Sequence, residues 1–212
     1  MSNWIVNWCQ ENVSKNDSVE SIEIIDDNHV EIRCQNSEVY NVAVTSETHI
    51  KKDLIEKVIK DNTQFLFNIK KEPFIDGEVL AYAEIKKFGI GGFGDIMRAI
   101  NSKNLREYQN PETKFIMKGL RQHTNVHSII RLDNRRYKVK KIGFQQDTII
   151  LALNDYDLTA ESVREGKEKF AEFDVILASN PNVRISSNAE EVSKGLGLKI
   201  LTWRQLLGRL NS

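Results

Sequence analysis

One order of strands and helices occurs twice in this 212-residue chain, and this repetition constrains the fold more than any other feature. Between residues 40 and 100, an alternating strand is followed by an amphipathic helix, a short apolar strand, a second helix and a terminal helix. Residues 148–210 follow the same order at a nearly constant offset. The runs at 65–67 and 175–177 are wholly apolar, which is typical of strands buried on both faces. The sequence therefore predicts an α/β protein with two strand–helix–strand–helix modules related by pseudo-two-fold symmetry.

Three segments follow from this repetition. Residues 1–100 are expected to form the N-terminal α/β module, which opens with a helix at residues 3–13 that Ser2 could cap. Residues 137–212 are expected to form the C-terminal α/β module. Residues 101–136 remain between the modules and are interpreted as a connecting arm.

The connecting arm lies in a strongly basic part of the chain, although the formal net charge of the whole chain is zero. Residues 1–97 carry 10 basic and 17 acidic residues, a net charge of −7. Residues 98–141 carry 12 basic and 3 acidic residues, a net charge of +9. Residues 142–212 carry 8 basic and 10 acidic residues, a net charge of −2. A segment this basic attracts an anionic partner such as nucleic acid. The alternative is that the arm docks on the acidic first module and is neutralised there.

The basic segment also contains the side-chain types that recognise phosphate groups. Arginine offers a forked set of donors, glutamine and histidine offer further donors, lysine adds a point charge, and a tyrosine ring can stack on a base. We therefore predict a site for nucleic acid or another polyanion formed by eight residues: Arg121, Gln122, His123, Arg131, Arg135, Arg136, Tyr137 and Lys138. No catalytic residue, cofactor or metal ion is predicted.

The second module resembles a known fold family. Residues 148–155 read as a strand that ends in Asn-Asp, and residues 174–180 as a strand that ends in Ser-Asn. Residues 185–192 start a Ser-capped helix, and residues 197–203 form a last strand before the terminal helix. This order is similar to the core of the restriction-endonuclease-like superfamily, especially its Mrr-type branch. The resemblance covers residues 148–212 well and the first module weakly, and it implies two tandem restriction-endonuclease-like modules.

The motif that carries catalysis in this family is missing. In the family, a carboxylate on the second strand and a Glu-x-Lys or Asp-x-Lys triplet on the third strand bind Mg²⁺ and orient the attacking water. This chemistry needs hard oxygen ligands and a cation near the nucleophile. The corresponding positions hold no carboxylate: they are Tyr137 and Lys138 on the second strand, and on the third strand Ala152, Leu153 and Asn154, or Ala43, Val44 and Thr45 in the first module. The resemblance therefore implies a nuclease fold without nuclease chemistry.

These observations favour one function and leave two alternatives open. The favoured function is a non-catalytic nuclease-fold protein that binds nucleic acid through the basic arm, in a bacterial DNA-maintenance or defence setting that the resemblance alone implies. The first alternative is an active Mg²⁺-dependent nuclease whose site has moved to acids of the first module, namely Asp26, Asp27 and Glu31. The second alternative is a platform for dimerisation or for another protein partner, without a nucleic-acid ligand.

The expected compartment follows from what the sequence lacks. The chain contains two cysteines, Cys9 and Cys34, which are too few for a disulfide framework. Its first residues do not show the basic and apolar pattern of a secretion signal, and no apolar run approaches the roughly 18 residues of a membrane span. A cytoplasmic protein without membrane association is expected.

Overall fold

The computed structural model describes residues 4–143, 146–170 and 172–211, and it shows the α/β protein that the sequence predicts. The chain divides into two compact units, Met1–Asn110 (unit 1) and Pro111–Ser212 (unit 2). Unit 1 carries 13 basic and 18 acidic residues, a net charge of −5, and unit 2 carries 17 and 12, a net charge of +5. The charge asymmetry of the sequence is therefore an asymmetry between two folded units.

Unit 1 is built on one mixed sheet. Its elements are, in order, α1 (Trp4–Val13), β1 (Val19–Asp26), β2 (His29–Cys34), β3 (Val39–Thr45), β4 (His49–Ile50), α2 (Lys52–Val58), β5 (Phe65–Asn68), β6 (Phe74–Ile75), α3 (Gly77–Lys86), β7 (Gly89–Gly91) and α4 (Phe93–Asn101). The sheet order is β1-β2-β3-β5-β7. β1, β2 and β3 are antiparallel, β5 and β7 continue the sheet parallel to β3, and the short strands β4 and β6 form a separate parallel pair.

Unit 2 has the same sequence of elements. They are α5 (Pro111–Arg121), β8 (Val126–Arg131), β9 (Arg136–Lys141), β10 (Thr148–Leu153), β11 (Asp157–Leu158), α6 (Ala160–Phe170), β12 (Val175–Ala178), β13 (Arg184–Ile185), α7 (Ser187–Gly195), β14 (Lys199–Leu201) and α8 (Trp203–Arg209). The sheet order is β8-β9-β10-β12-β14, with β8, β9 and β10 antiparallel and β10, β12 and β14 parallel. β11 and β13 form the separate parallel pair.

The correspondence between the units extends to individual hydrogen-bonded positions. Residues 42 and 65 are partners in unit 1, and residues 150 and 175 are partners in unit 2. The final helix of each unit starts with a capping box, in which Asp95 accepts from the N–H of Gly92 and Gln205 accepts from the N–H of Thr202. Equivalent positions are 108 residues apart in the third strand (150 − 42) and 110 apart in the next long strand (175 − 65). The two units thus share one topology and one register.

The predicted connecting arm differs from the structure. Residues 101–110 belong to unit 1, and most of residues 111–136 form α5 and β8, which complete unit 2. Ile116 and Leu120 of α5 are fully buried in the core of unit 2. These elements are difficult to recognise in the sequence because α5 contains a glycine and β8 is an edge strand with partly polar faces.

Helices cover both faces of the sheet in unit 1. α1 and α4 bury apolar residues such as Val6 and Ile96 against one face, while α2 and α3 bury Ile55 and Val79 against the other. The apolar runs of β5 and β12 are completely buried, as predicted for strands covered on two sides. The predicted opening helix is present as α1, and its proposed cap Ser2 lies outside the described residues. Within the described part of the chain, no helix has the length and apolar character to cross a membrane.

Candidate nucleic-acid interface

Arg136 holds the hairpin between β8 and β9 in place. Its Nε donates to Asp133 Oδ2 at 2.6 Å, and its Nη1 donates to the carbonyl oxygen of Glu172 at 3.0 Å. The Asp133 carboxylate is fully buried, and its Oδ1 also accepts from the backbone N–H groups of Arg135 and Arg136, both at 2.8 Å. A guanidinium that neutralises a buried carboxylate has a structural role in this hairpin.

The Arg135 side chain also has a partner within unit 2. Its Nη1 lies 2.8 Å from Glu112 Oε2, and the hydroxyl of Ser179 donates to the other oxygen of Glu112. Lys138 lies 3.1 Å from Asp147, at a partly exposed position. These cations of the predicted site are therefore neutralised by acids of unit 2, and neither the acidic first unit nor an external anion is needed to balance them.

Tyr137 and His123 are also engaged inside unit 2. The Tyr137 ring is 1% exposed, its hydroxyl donates to Thr113, and burial raises the pKa of its phenol above the usual range. A buried ring does not stack on a base. His123 Nε2 lies 3.1 Å from the carbonyl oxygen of Leu207, and its Nδ1 accepts from the N–H of Asn125 at 3.2 Å. These two contacts of the imidazole join the end of α5 to α8.

The remaining predicted residues occupy the surface of unit 2 in different ways. Arg121 and Gln122 are exposed at the C-terminal end of α5, whereas Arg131 is half-buried at the end of β8. The structure therefore does not bring the eight predicted residues together into one exposed site. Two of them, Arg121 and Gln122, belong to a different surface formed by α5 and α8.

α5 and α8 pack side by side against the same core. Ile116 and Leu120 of α5 are buried together with Leu206 of α8, and the rings of Phe115 and Trp203 lie 5.2 Å apart between the helices. The side chains on the outer surface of this helix pair include exposed cations, which we call the basic face: Lys114, Lys118, Arg121, Arg204 and Arg209.

The α5 part of the basic face contains cations without an acidic partner. α5 and α8 together contain five basic residues and one acidic residue, and that acid, Glu112, is already bound to Arg135. Lys114, Lys118 and Arg121 follow one stripe at spacings of four and three residues, and none has an ion-pair partner among the described residues. Like charges at such spacings destabilise a helix by roughly 0.2–0.5 kcal/mol per pair. Lys114 also lies near the helix N-terminus, where the dipole disfavours a cation.

The equivalent helices of unit 1 do not carry this charge. α1 and α4 together contain one basic residue, Arg98, and two acidic residues, Glu11 and Asp95. Arg98 and Asp95 form an ion pair at 3.0 Å. The basic face is therefore a property of unit 2 and not of the shared topology. The sequence prediction did not include Lys114, Lys118, Arg204 and Arg209. The helical spacing of the apolar residues between positions 113 and 120 would have placed Lys114 and Lys118 on the outer surface of a helix.

The acids proposed for a relocated nuclease site belong to the β1–β2 hairpin. Asp26 accepts from Lys60 Nζ at 2.6 Å and lies 2.7 Å from His29 Nδ1. Partial burial opposes ionisation, but Lys60, the N–H of Asn28 and His29 together hold the Asp26 pKa well below its usual range. Glu31 forms a weak ion pair with Arg33 at 3.3 Å. The described residues contain no group of three or more His, Cys, Asp or Glu side chains arranged to hold a metal ion.

Comparisons with protein-family models, with curated proteins and with solved structures each gave no match. The functional assignment consequently depends on the geometry and charge of the two units.

Proposed function

We propose that this protein is a non-catalytic nuclease-fold protein whose unit 2 binds the phosphate backbone of nucleic acid through the basic face. The observation that carries the proposal is the stripe of Lys114, Lys118 and Arg121, which are exposed, close to each other and without ion-pair partners in the described chain. Closely spaced, unneutralised cations are stabilised when they displace counterions from a polyanion. The half-exposed ring of Phe115 lies beside the stripe and adds a surface on which a base can stack.

The order of elements supports a tandem restriction-endonuclease-like arrangement. In each unit, a helix precedes three antiparallel strands, and a further helix leads to a strand parallel to the third. In unit 2, Ser179 follows β12, and Ser186 caps α7 by accepting from the N–H of Ala189, in keeping with the resemblance. A shared topology in two consecutive units is expected from duplication of one ancestral module.

The composition of the third strands supports a role without catalysis. At the end of β3 the side chains are those of Thr45 and Ser46, and at the end of β10 they are those of Leu153 and Asn154. None of these four supplies a carboxylate for a divalent cation or an ammonium group for the nucleophile, and the acids that follow them, Glu47 and Asp155, belong to no group of three or more possible metal ligands among the described residues. A bacterial DNA-maintenance or defence setting is part of this proposal and comes from the family resemblance alone.

Salt-dependent binding tests the proposal. Labelled duplex DNA, single-stranded DNA and RNA are titrated with the protein at increasing NaCl, and binding is followed by fluorescence anisotropy. Replacing Lys114, Lys118 and Arg121 with Gln should weaken binding on all sequences. It should also reduce the slope of log K against log salt by about 0.7–0.9 for each phosphate group that the variant no longer neutralises.

A matched control changes two cations elsewhere in unit 2. Lys194 and Lys199 are exposed and have no ion-pair partner in the described chain, so their replacement with Gln should leave the slope nearly unchanged. An absence of binding to any nucleic acid at low salt contradicts the proposal and leaves the interaction-platform alternative.

A nuclease assay separates the proposed function from the enzyme alternative. With Mg²⁺ or Mn²⁺, the purified protein should leave DNA and RNA intact, because the third-strand positions of the family's catalytic triplet hold neither acids nor a lysine. Cleavage that disappears in Asp26→Asn or Glu31→Gln would instead establish an active site in the β1–β2 hairpin.

A further inference from the structure

Unit 1 contains a groove at the end of its parallel strands. The groove has a volume of about 570 Å³ and lies where β3 ends, lined also by the start of α1 and by α2. This volume is within the range of about 300–1,000 Å³ that is usual for small-molecule sites. The carboxyl ends of parallel strands are also where open α/β sheets most often bind ligands.

Two hydroxyl groups of the groove lack internal partners. Thr45 is 3% exposed and lines the groove, and its hydroxyl makes no hydrogen bond with any described residue. A hydroxyl group that lines a groove and has no internal partner is available to hydrogen-bond with a ligand or with solvent. Ser46, the next residue, contributes a second hydroxyl without a partner in the described chain.

The rim of the groove combines two cations with an aromatic ring. Lys57 and Lys70 are exposed, and neither forms an ion pair with a described residue. Trp4 is 57% exposed, which is unusual for so large an apolar ring. Glu47 is the acidic residue of the lining, so these three charged side chains give a net charge of +1.

The equivalent place in unit 2 holds an internal salt bridge. Positions 5, 28 and 69 of unit 1 correspond to 112, 135 and 179 of unit 2, where Glu112, Arg135 and Ser179 bind one another. In unit 1 the same positions are Ile5, Asn28 and Ile69, which cannot form this ion pair. The shared topology therefore fills the site with an internal salt bridge in unit 2 and leaves it open in unit 1.

We propose that the groove of unit 1 binds a nucleoside monophosphate group, with the planar base against Trp4 and the phosphate held by Lys57, Lys70 and the hydroxyls of Thr45 and Ser46. Hydroxyl and ammonium donors suit phosphate oxygens, and an exposed indole suits a base. The two lysines of the rim match the charge of one phosphate group, which is about −1.5 to −2 at pH 7. This site is separate from the basic face and does not depend on it. The nucleotide could be free or could be the 5′-phosphorylated end of a strand.

Calorimetry on the full chain tests the proposal with AMP, CMP, GMP and UMP as probes, and with inorganic phosphate and adenosine as fragments of the ligand. At least one monophosphate should bind saturably and more tightly than either fragment. Thr45→Val should weaken that binding about three- to tenfold, and Thr45→Ser should restore it because the hydroxyl is kept. Replacing Lys57 and Lys70 with Gln should weaken it by about tenfold or more.

Two controls keep the result specific. Lys52 and Lys71 are exposed, lie outside the groove and have no ion-pair partner in the described chain, so their replacement with Gln should leave the affinity unchanged. The Lys114, Lys118 and Arg121 variant should also bind the monophosphate normally, which separates this site from nucleic-acid binding by unit 2. A thermal melt of each variant verifies that it is folded.

The source of the nucleotide follows from a second comparison. A 5′-phosphorylated oligonucleotide that binds more tightly than its 5′-hydroxyl form, and loses this preference in Thr45→Val, identifies a strand end as the ligand. Equal binding of both oligonucleotides together with saturable binding of a free monophosphate identifies the free nucleotide. No saturable binding of any monophosphate or phosphorylated end, or binding that Thr45→Val and the lysine replacements do not weaken, overturns the proposal.

Discussion

Asp26 in unit 1 and Asp133 in unit 2 occupy equivalent positions, 107 residues apart (133 − 26), and carry out the same structural task. Asp26 accepts from the N–H of Asn28 at 2.9 Å and lies 2.7 Å from the imidazole of His29. Asp133 accepts from the N–H of Arg135 at 2.8 Å and from the guanidinium of Arg136 at 2.6 Å. His29 then reaches the carbonyl oxygen of Val58, as Arg136 reaches that of Glu172. Because the same contacts occur in both units, we interpret them as a structural element of the hairpin.

Removing the buried charge of unit 2 should be costly. Asp133→Asn leaves Arg136, which is 16% exposed, without its counter-charge, and we expect a loss of about 3 kcal/mol or more in the free energy of unfolding. Urea denaturation, monitored by circular dichroism, measures this loss in the free energy of unfolding. The control Asp147→Asn removes the partly exposed partner of Lys138 and should cost less than about 1 kcal/mol. Similar losses in the two variants would contradict a structural role specific to Asp133.

The pKa of Asp26 predicts a pH dependence of stability. Because its folded pKa is lowered, the ionised form contributes stability that is fully present above about pH 4 and is lost as the pH falls through the folded pKa. Asp26→Asn should lower the melting temperature at pH 7, and the difference from the wild type should shrink below pH 4. The contribution should be under about 1 kcal/mol, because the side chain is 42% exposed and screened by solvent.

The adjacent Asp27 provides the control for that measurement. Asp27 is exposed and has no hydrogen bond or ion pair within the described residues. At each pH between 3 and 7, Asp27→Asn should therefore have the same melting temperature as the wild type. A pH-independent difference between wild type and Asp26→Asn would show that the carboxylate charge is not what stabilises the hairpin.

At the scale of elements, the contact between α5 and α8 determines whether unit 2 presents its basic face. Gly119 lies against the indole of Trp203, and a Cβ atom at this position would overlap the ring. His123 and Asn125 then bind the carbonyl oxygens of Leu207 and Leu210. The helices are therefore held together along their length, which fixes the orientation of the cationic stripe.

Gly119→Ala should disturb this contact. Although alanine is the better helix former, overpacking against Trp203 should cost about 1–3 kcal/mol in the free energy of unfolding. Gly208→Ala in α8 is the matched control, because a Cβ atom there meets nothing within 4 Å and should stabilise the helix by up to about 1 kcal/mol. Thermal denaturation of both variants measures the difference. A stabilising effect of Gly119→Ala would show that the two helices can separate without cost.

At the scale of the whole molecule, each unit has what an independent domain requires. Unit 1 has apolar clusters on both faces of its sheet, and unit 2 has its own core around Tyr137, Ile150 and Leu206. Each sheet is complete within its unit, and the boundary falls between Asn110 and Pro111. The two units also carry opposite net charges, −5 and +5.

Residues 1–110 and 111–212, expressed separately, should each fold and unfold cooperatively. The amide spectrum of each fragment, recorded by two-dimensional NMR, should overlay on most of its signals in the full chain. As a control, a fragment that starts at residue 137, the predicted start of the second module, should be unfolded because it lacks α5 and β8. Cooperative folding of that shorter fragment would contradict the assignment of α5 and β8 to the core of unit 2.

The sequence by itself determined the α/β class and the repeated order of elements. Both depend on the period of apolar residues along the chain, which is visible locally in runs such as residues 65–67 and 175–177. The identity of the third-strand residues 43–45 and 152–154, none of which is an acid or a lysine, is likewise read directly from the sequence.

Only the tertiary structure decided which charges are available to a partner. Glu112, Arg135 and Ser179 are far apart in sequence and meet because the start of α5, the turn of the β8–β9 hairpin and the end of β12 come together. The same folding buries Tyr137 and leaves Lys114 and Lys118 exposed. Net charge along a segment is a sum over residues, whereas the capacity to bind depends on which of those charges the fold has already paired.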